Sequence, residues 1–256
     1  MNPGPYNPFS LDGKRILVTG ASSGIGRSTA IECSRLGAKV VLVACRGGEL
    51  RQTLSMLDGD GHAIEPFDLS GSEDIVDWLT HLAARTGLLD GLFHSAGISS
   101  CMPVRFTTPD LYRKIMVVNL DAAYWLAKGF RQKAVRTPKA SLVFVSSVSG
   151  VVGNAGLTAY AASKGGLLAL TKSLALEFVK EHIRVNVVAP ALVTTNMAEE
   201  ISAGISEEQF AANAVKQPLG IGQPEDVAWA VIYLLSDASR WITGSTLAVD
   251  GGYTAA

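Results

Sequence analysis

Arg15-Ile16-Leu17-Val18-Thr19 leads without a break into Gly20-Ala21-Ser22-Ser23-Gly24-Ile25-Gly26. The first run is apolar and rich in β-branched residues, the pattern of a buried strand. From Gly24 to Leu36 the apolar spacing turns helical. Gly20 permits the sharp turn between the two, Gly24 lets backbone approach a pyrophosphate, and Gly26 lets the helix pack on the strand. Ser22, Ser23 and Ile25 complete the turn. The helix N-terminus then presents free N–H groups and a partial positive charge, which suits an anionic phosphate. The spacing is G-xxx-G-x-G, not G-x-G-x-x-G, and a glycine-rich turn alone says little. Its place directly after an N-terminal strand makes a dinucleotide the expected occupant.

Outward from this turn, short apolar runs alternate with longer helical patterns. Strands are expected at Lys39 to Ala44, Ala63 to Glu65, Gly91 to His94, Ser141 to Ser146, Arg184 to Val188 and Thr246 to Val249. Helices are expected at Glu49 to Leu57, Glu73 to Arg85, Asp110 to Val135, Tyr160 to Lys180 and Pro224 to Ser236. Strands apolar throughout are buried on both faces. The predicted fold class is α/β: a Rossmann-type doubly wound parallel sheet of about seven strands with helices on both faces. Residues 1–10 (MNPGPYNPFS) read as a flexible, Pro-rich tail and 11–256 as one NAD(P)-binding catalytic domain. Residues 196–219 break the rhythm after a strand's C-terminal end. They are expected to form a substrate lid, the alternative being a packing excursion without a gating role.

Composition narrows the partners. The 256 residues are 48% hydrophobic and 18% charged, with a net charge of −1. That balance supports a large core and gives no basic excess for nucleic acid or an anionic membrane surface. Cys33, Cys45 and Cys101 form no disulfide framework and no metal knuckle; His62, His81, His94 and His182 lack zinc-site spacing, so no metal is expected. No signal peptide or bilayer-length apolar run is apparent, and the expected location is cytoplasmic.

Further cofactor contacts follow from the strand ends. Ala44-Cys45-Arg46 closes the second strand, where NAD and NADP are told apart. No acid stands there for the ribose hydroxyls. Arg46 pairs with a 2′-phosphate or is a solvated loop charge; the first reading makes NADP the expected cofactor. Asp68, beside Leu69, is placed to accept from the adenine amino group. Ser95, Ala96 and Gly97 are small enough to let backbone lie against adenosine.

Tyr160-Ala161-Ala162-Ser163-Lys164 puts a phenol and an ammonium one helical turn apart on one face. A neighbouring cation is expected to lower the phenol's pKa, so that Tyr160 serves as general acid or base, with Lys164 also holding the nicotinamide ribose. Ser147, at the end of a strand, is selected over Ser146 and Ser149 to hydrogen-bond the substrate oxygen. Asn119, mid-helix, is expected to hold a water that feeds protons to Lys164.

TGASSGIG, Asn119, Ser147, YAASK and Trp241-Ile242-Thr243-Gly244 together resemble the short-chain dehydrogenase/reductase family, in its compact single-domain branch. The likeness runs from about Asp12 to Gly252 in unbroken motif order. It implies a catalytic tetrad of Asn119, Ser147, Tyr160 and Lys164. It also implies that Pro190 to Thr195 wraps the nicotinamide, with Val193 on the carboxamide and Thr195 near the phosphates, and that the protein is a homotetramer or homodimer. Three departures stand out. His94-Ser95 replaces the usual Asn that ties neighbouring strands, Ala191 replaces a Gly, and Arg46 sits one place later than the usual arginine. The expected reaction is carbonyl–alcohol interconversion on a small molecule. Ser147 to Tyr160 resembles 3-oxoacyl-carrier-protein reductases. Sugar, polyol or steroid dehydrogenases, and a non-catalytic NAD(P)-binding sensor, are the alternatives. The pocket is expected to draw on Met102, Val104, Phe106, Ile201 and Phe210.

Overall fold

The computed structural model describes residues 6–71, 74–202, 208 and 214–255. Seven parallel strands form one sheet in the order β3-β2-β1-β4-β5-β6-β7. They are β1 (Arg15–Thr19), β2 (Lys39–Ala44), β3 (Ala63–Pro66), β4 (Leu89–His94), β5 (Arg136–Val145), β6 (Ile183–Pro190) and β7 (Thr246–Val249). The helices are α1 (Gly24–Arg35), α2 (Gly47–Leu54), α3 (Ile75–Thr86), α4 (Pro109–Met116), α5 (Ala122–Phe130), α6 (Thr158–Phe178), α7 (Asn196–Ser202) and a last helix, Pro224–Leu235.

Each face of the sheet buries its own cluster. Leu17, Val41 and Val43 point toward Leu79, Leu126 and Leu167 of α3, α5 and α6. Their strand neighbours Ile16, Val18 and Val40 point the other way, toward Ala30 and Val231 of α1 and the last helix. The period-2 alternation of side chains thus feeds two cores, which is why these strands read as continuous apolar runs. A Cβ on Gly91 of β4 would come within 2.8 Å of Ile16 and 2.9 Å of Leu235, so glycine there lets the last helix lie close to the sheet.

The order reverses between β1 and β4, and the crevice beyond the C-terminal ends at such a switch point is where α/β sheets bind ligands. The turns after β1, β2, β3, β4, β5 and β6 all open there.

Three sequence expectations need correction. The stretch from Asp110 to Val135 is not one helix. It divides at a π turn, Val117–Asp121, ends at Phe130, and gives way to β5 at Arg136 rather than Ser141. Pro138 hid the strand's start, which is irregular: Leu89 pairs with Arg136, then the register shifts before Gly91 pairs with Ser141. The tail is not loose in its second half. Ala238 N–H donates to Pro8 O at 2.9 Å, and the Phe9 ring lies 6.1 Å from that of Tyr233. Of residues 196–219, α7 and the segment from Ala214 onward are described; Phe210 and the Ile201 side chain lie outside the described residues.

Candidate active site

A cleft of about 710 Å³ runs along the switch point. At one end it is lined by Gly20, Ser22, Ser23, Gly24 and Ile25 of the glycine turn. Gly20 and Gly24 have φ of +66° and +52°, the left-handed region that favours glycine. A Cβ on Gly20 would stand 2.8 Å from Ala96 N. Gly26 does not line the cleft; its Cβ would fall 2.3 Å from Gly20 O, so it lets α1 close onto β1 from beneath. Ser23 caps α1 with extended backbone but makes no side-chain cap bond, leaving the first-turn N–H groups and its own hydroxyl for a ligand. The turn therefore fits a pyrophosphate.

Arg46, Asp68, Leu69, Ser95, Ala96 and Gly97 also line the cleft. Arg46 reaches the Ser22 hydroxyl at 3.4 Å and pairs with Glu49 at 2.8 Å. Asp68 accepts from Ser70 N–H at 2.9 Å, which holds its carboxyl below the usual range. The neighbouring Cys45 thiol is pushed up by burial and by Asp68.

His94 takes over the strand-tying position. Its Nδ1 lies 2.8 Å from Thr19 Oγ1, joining β4 to β1. The same oxygen accepts from Ser95 N–H and Ala96 N–H, each at 3.2 Å. The replacement thus preserves the cradle.

Beyond Gly97 the cleft reaches Ser147, Tyr160 and Lys164. Ser147 ends β5 and accepts from Ser149 N–H at 3.1 Å, leaving its proton for another partner. Tyr160 and Lys164 occupy one face of α6, with Lys164 Nζ 5.6 Å from the Tyr160 ring centroid and 2.7 Å from Val145 O. Burial pushes the phenol up to about 12, and the Ser147 hydroxyl, hydrogen-bonded to it, pulls the other way. This runs against the expectation of a phenol lowered by its cation: desolvation raises it, and the opposing pull comes from Ser147. Burial also brings the Lys164 ammonium down to about 8.

Asn119 is fully buried behind the cleft wall rather than lining it. Its amide accepts from Ile98 N–H at 2.8 Å and donates to Ile98 O and to Ser163 Oγ, both at 3.0 Å. Both amide protons and one lone pair of the amide oxygen are engaged; the π turn that carries the side chain was not legible in the sequence.

On the far side, Pro190, Val193 and Thr195 follow β6 along the wall. Gln217 clamps this segment. It accepts from Leu192 N–H at 3.0 Å and donates to Leu192 O at 3.1 Å. The Thr195 methyl would meet a Cβ on Gly24 at 3.2 Å, so Thr195 stands against the phosphate turn; its hydroxyl donates to Val193 O at 3.3 Å. Sequence reasoning missed Asn154, Gln217 and Tyr253, which also line the cleft. None carries a motif, and only the fold brings the C-terminal Tyr253 to the loop after β5. Met102, Val104 and Phe106 do not line it. Among the described residues no cluster is placed to hold a metal, and no helix is long and apolar enough to cross a membrane.

Residues 20–254 match the sequence profile of a short-chain alcohol dehydrogenase group described as "Enoyl-(Acyl carrier protein) reductase". A 3-oxoacyl-[acyl-carrier-protein] reductase of Rickettsia prowazekii is 37% identical over 246 residues, covering 95% of this chain and 98% of the relative. A 2-(S)-hydroxypropyl-CoM dehydrogenase of Xanthobacter autotrophicus is 35% identical, covering 96% and 98%. Among solved structures, one from Beutenbergia cavernae, named for NAD(P)-dependent gluconate 5-dehydrogenase and holding NADP at low occupancy, superposes with a TM-score of 0.91. It is 33% identical and covers 98% of this chain and 100% of that one. With this sheet order, this cleft and these near-full-length relatives, the chain belongs to the short-chain dehydrogenase/reductase family of oxidoreductases.

Proposed function

We propose that the chain interconverts a carbonyl and a secondary alcohol with NADP, and that its leading substrate is a 3-oxoacyl thioester. The observation that carries the reaction is that Ser147, Tyr160 and Lys164 line one cleft, with Lys164 Nζ 5.6 Å from the Tyr160 ring centroid.

When bound, the nicotinamide supplies or accepts the hydride. Ser147 donates its hydroxyl proton to the carbonyl oxygen and steadies the charge that develops there. Tyr160 delivers the proton. A phenol near 12 holds that proton until an alkoxide, a much stronger base, forms beside it, so the high value suits reduction. Lys164 stabilises the phenolate left behind and returns a proton to it. Asn119 acts as a positioning residue by fixing Ile98 against α6 through Ser163.

Gly20, Ser22, Ser23, Gly24 and Ile25 cradle the pyrophosphate, and Gly26 supports them. Arg46 takes the 2′-phosphate beside Ser22. Asp68 and Leu69 border the adenine, and Ser95, Ala96 and Gly97 lie against the adenosine. Pro190, Val193 and Thr195 wrap the nicotinamide end. Asn196, Met197 and Gln217, from the two described ends of the expected lid, line the cleft, which supports a lid over the substrate. Exposed Tyr124, Leu176 and Trp241 favour a homo-oligomer.

A second reading, a sugar-type dehydrogenase, is favoured by the neutral polar groups Ser149, Asn154 and Tyr253 in the cleft. The test is NADPH oxidation by the purified protein with an acetoacetyl thioester, set against NADP reduction with gluconate. Turnover of the thioester supports the leading reading. Turnover of gluconate alone replaces it with the second, and no turnover with either removes both.

A further inference from the structure

The cleft lining holds a directed chain of hydrogen bonds that the hydride reaction does not use. The Tyr253 hydroxyl donates to Asn154 Oδ1 at 3.4 Å, and Asn154 Nδ2 donates to Ser149 Oγ at 3.2 Å. Every donor in this chain points one way. It ends on Ser149, whose own proton meets no acceptor among the described residues. Ser149 is 7% exposed and lines the cleft. A hydroxyl that receives a bond becomes a better donor, so the chain polarises the Ser149 proton.

Ser149 also sits close to the reacting centre. Its backbone N–H donates to Ser147 Oγ at 3.1 Å, and its own Oγ is joined to that N–H through Cα and Cβ. Both hydroxyl-bearing residues therefore line the cleft, tied to one another through the Ser149 N–H. Ser147 addresses the carbonyl that is reduced. A buried donor without a partner is costly, and a second acceptor on the ligand removes that cost.

We infer that Ser149, backed by Asn154 and Tyr253, is a second oxygen-binding site, and that the substrate carries another acceptor oxygen one or two carbons from the carbonyl that is reduced. The inference rests on the carbonyl–alcohol reading proposed above. Two substrate classes share this chemistry: a 3-oxoacyl thioester, through its thioester carbonyl, and a hydroxy ketone of the sugar type, through its hydroxyl. A plain ketone lacks the second oxygen. The site selects by loss, because a ligand without that oxygen leaves the Ser149 proton unmatched.

The experiment compares kcat/KM for NADPH-dependent reduction of acetoacetyl-N-acetylcysteamine, 1-hydroxy-2-butanone and 2-pentanone. The wild-type protein is expected to favour at least one of the first two over 2-pentanone by about 10- to 100-fold. Which of them leads identifies the class. In Ser149→Ala that preference is expected to fall to within about 3-fold of unity, and Ser149→Thr, which keeps the hydroxyl, is expected to restore it. Tyr253→Phe should lower the same ratio by a smaller factor, because it removes only the polarising donor. A wild-type protein that reduces all three alike overturns the inference while leaving carbonyl reduction intact. An Ala variant with an undiminished preference overturns it too. Absence of any reduction by the wild-type protein takes down the parent reading and this one together.

Discussion

The Thr19 hydroxyl, 2.8 Å from Nδ1 of His94, fixes the protonation of a histidine buried at the head of the cleft. Thr19 Oγ1 accepts from two backbone groups, Ser95 N–H and Ala96 N–H. Both lone pairs are occupied, so its proton goes to Nδ1, and the imidazole carries its own on Nε2. One side chain thus holds together β1, β4 and the loop that flanks the glycine turn. Thr19→Val keeps the shape and leaves two N–H groups without an acceptor. The expected loss is roughly 2–4 kcal/mol of unfolding free energy, with weaker NADPH binding. Thr19→Ser should recover most of it. Denaturant midpoints decide the matter, and an unchanged midpoint in the Val variant would remove Thr19 from this role.

His94 itself sets an acid limit. Burial, aided by the Lys164 charge, pushes it down to about 3 from 6.5. The unfolded chain therefore binds this proton first as pH falls. Stability from neutral His94 is complete above pH 6.5 and drains away between 6.5 and about 3, by on the order of 4 kcal/mol. His94→Asn does not titrate, so its stability curve should be flatter than wild type across that window. Parallel curves would show that His94 is not the group responsible.

Removing the phenol separates chemistry from binding. Tyr160→Phe deletes the proton donor and leaves the ring over Lys164. Reduction is expected to fall by at least about 1,000-fold while NADPH affinity, read by nicotinamide fluorescence, stays within about 3-fold. Comparable turnover in that variant would sink the assignment of Tyr160.

Sequence and structure agree best where local pattern and buried packing coincide. β1 and β2 fall at their expected residues because a run apolar on both faces has no competing reading. The glycine turn was legible for the same reason: Gly20 and Gly24 adopt backbone that other residues resist. Tyr160 and Lys164 share one face of α6, as their helical spacing with Ser147 upstream predicts. Asn119 falls in a helix as expected, but its bonds to Ile98 could not be read, since a π turn has no sequence period and Ile98 lies on a distant loop. The phenol's direction was misjudged because charge proximity can be read from spacing, whereas desolvation depends on what the rest of the chain places around it. Asn154 and Tyr253 are 99 positions apart and meet only through the fold.

Arg46 gives a test of cofactor choice. Its guanidinium is shared between Glu49 at 2.8 Å and Ser22 at 3.4 Å, and it remains largely exposed. Arg46→Ala is expected to weaken NADPH by about 10-fold and leave NADH nearly unchanged, because only the 2′-phosphate is lost as a partner. Glu49→Gln frees the guanidinium from a competing carboxylate and should raise the NADPH-to-NADH affinity ratio a few-fold. Equal effects on both nucleotides would make Arg46 a bystander.

Lys164 predicts the alkaline limb of reduction. Burial brings its ammonium down to about 8 from 10.5, so its charge disappears as pH rises through about 8. The phenol stays protonated until about 12 and does not contribute there. Reductive kcat/KM should therefore decline above pH 8 in the wild-type protein, approaching about 10-fold per pH unit. Lys164→Arg holds a positive charge at every accessible pH. Whatever its absolute rate, its activity relative to wild type should climb steadily between pH 8 and pH 10. If the two profiles fall in parallel, the limb belongs to another group, and Lys164 supports Tyr160 through its position alone.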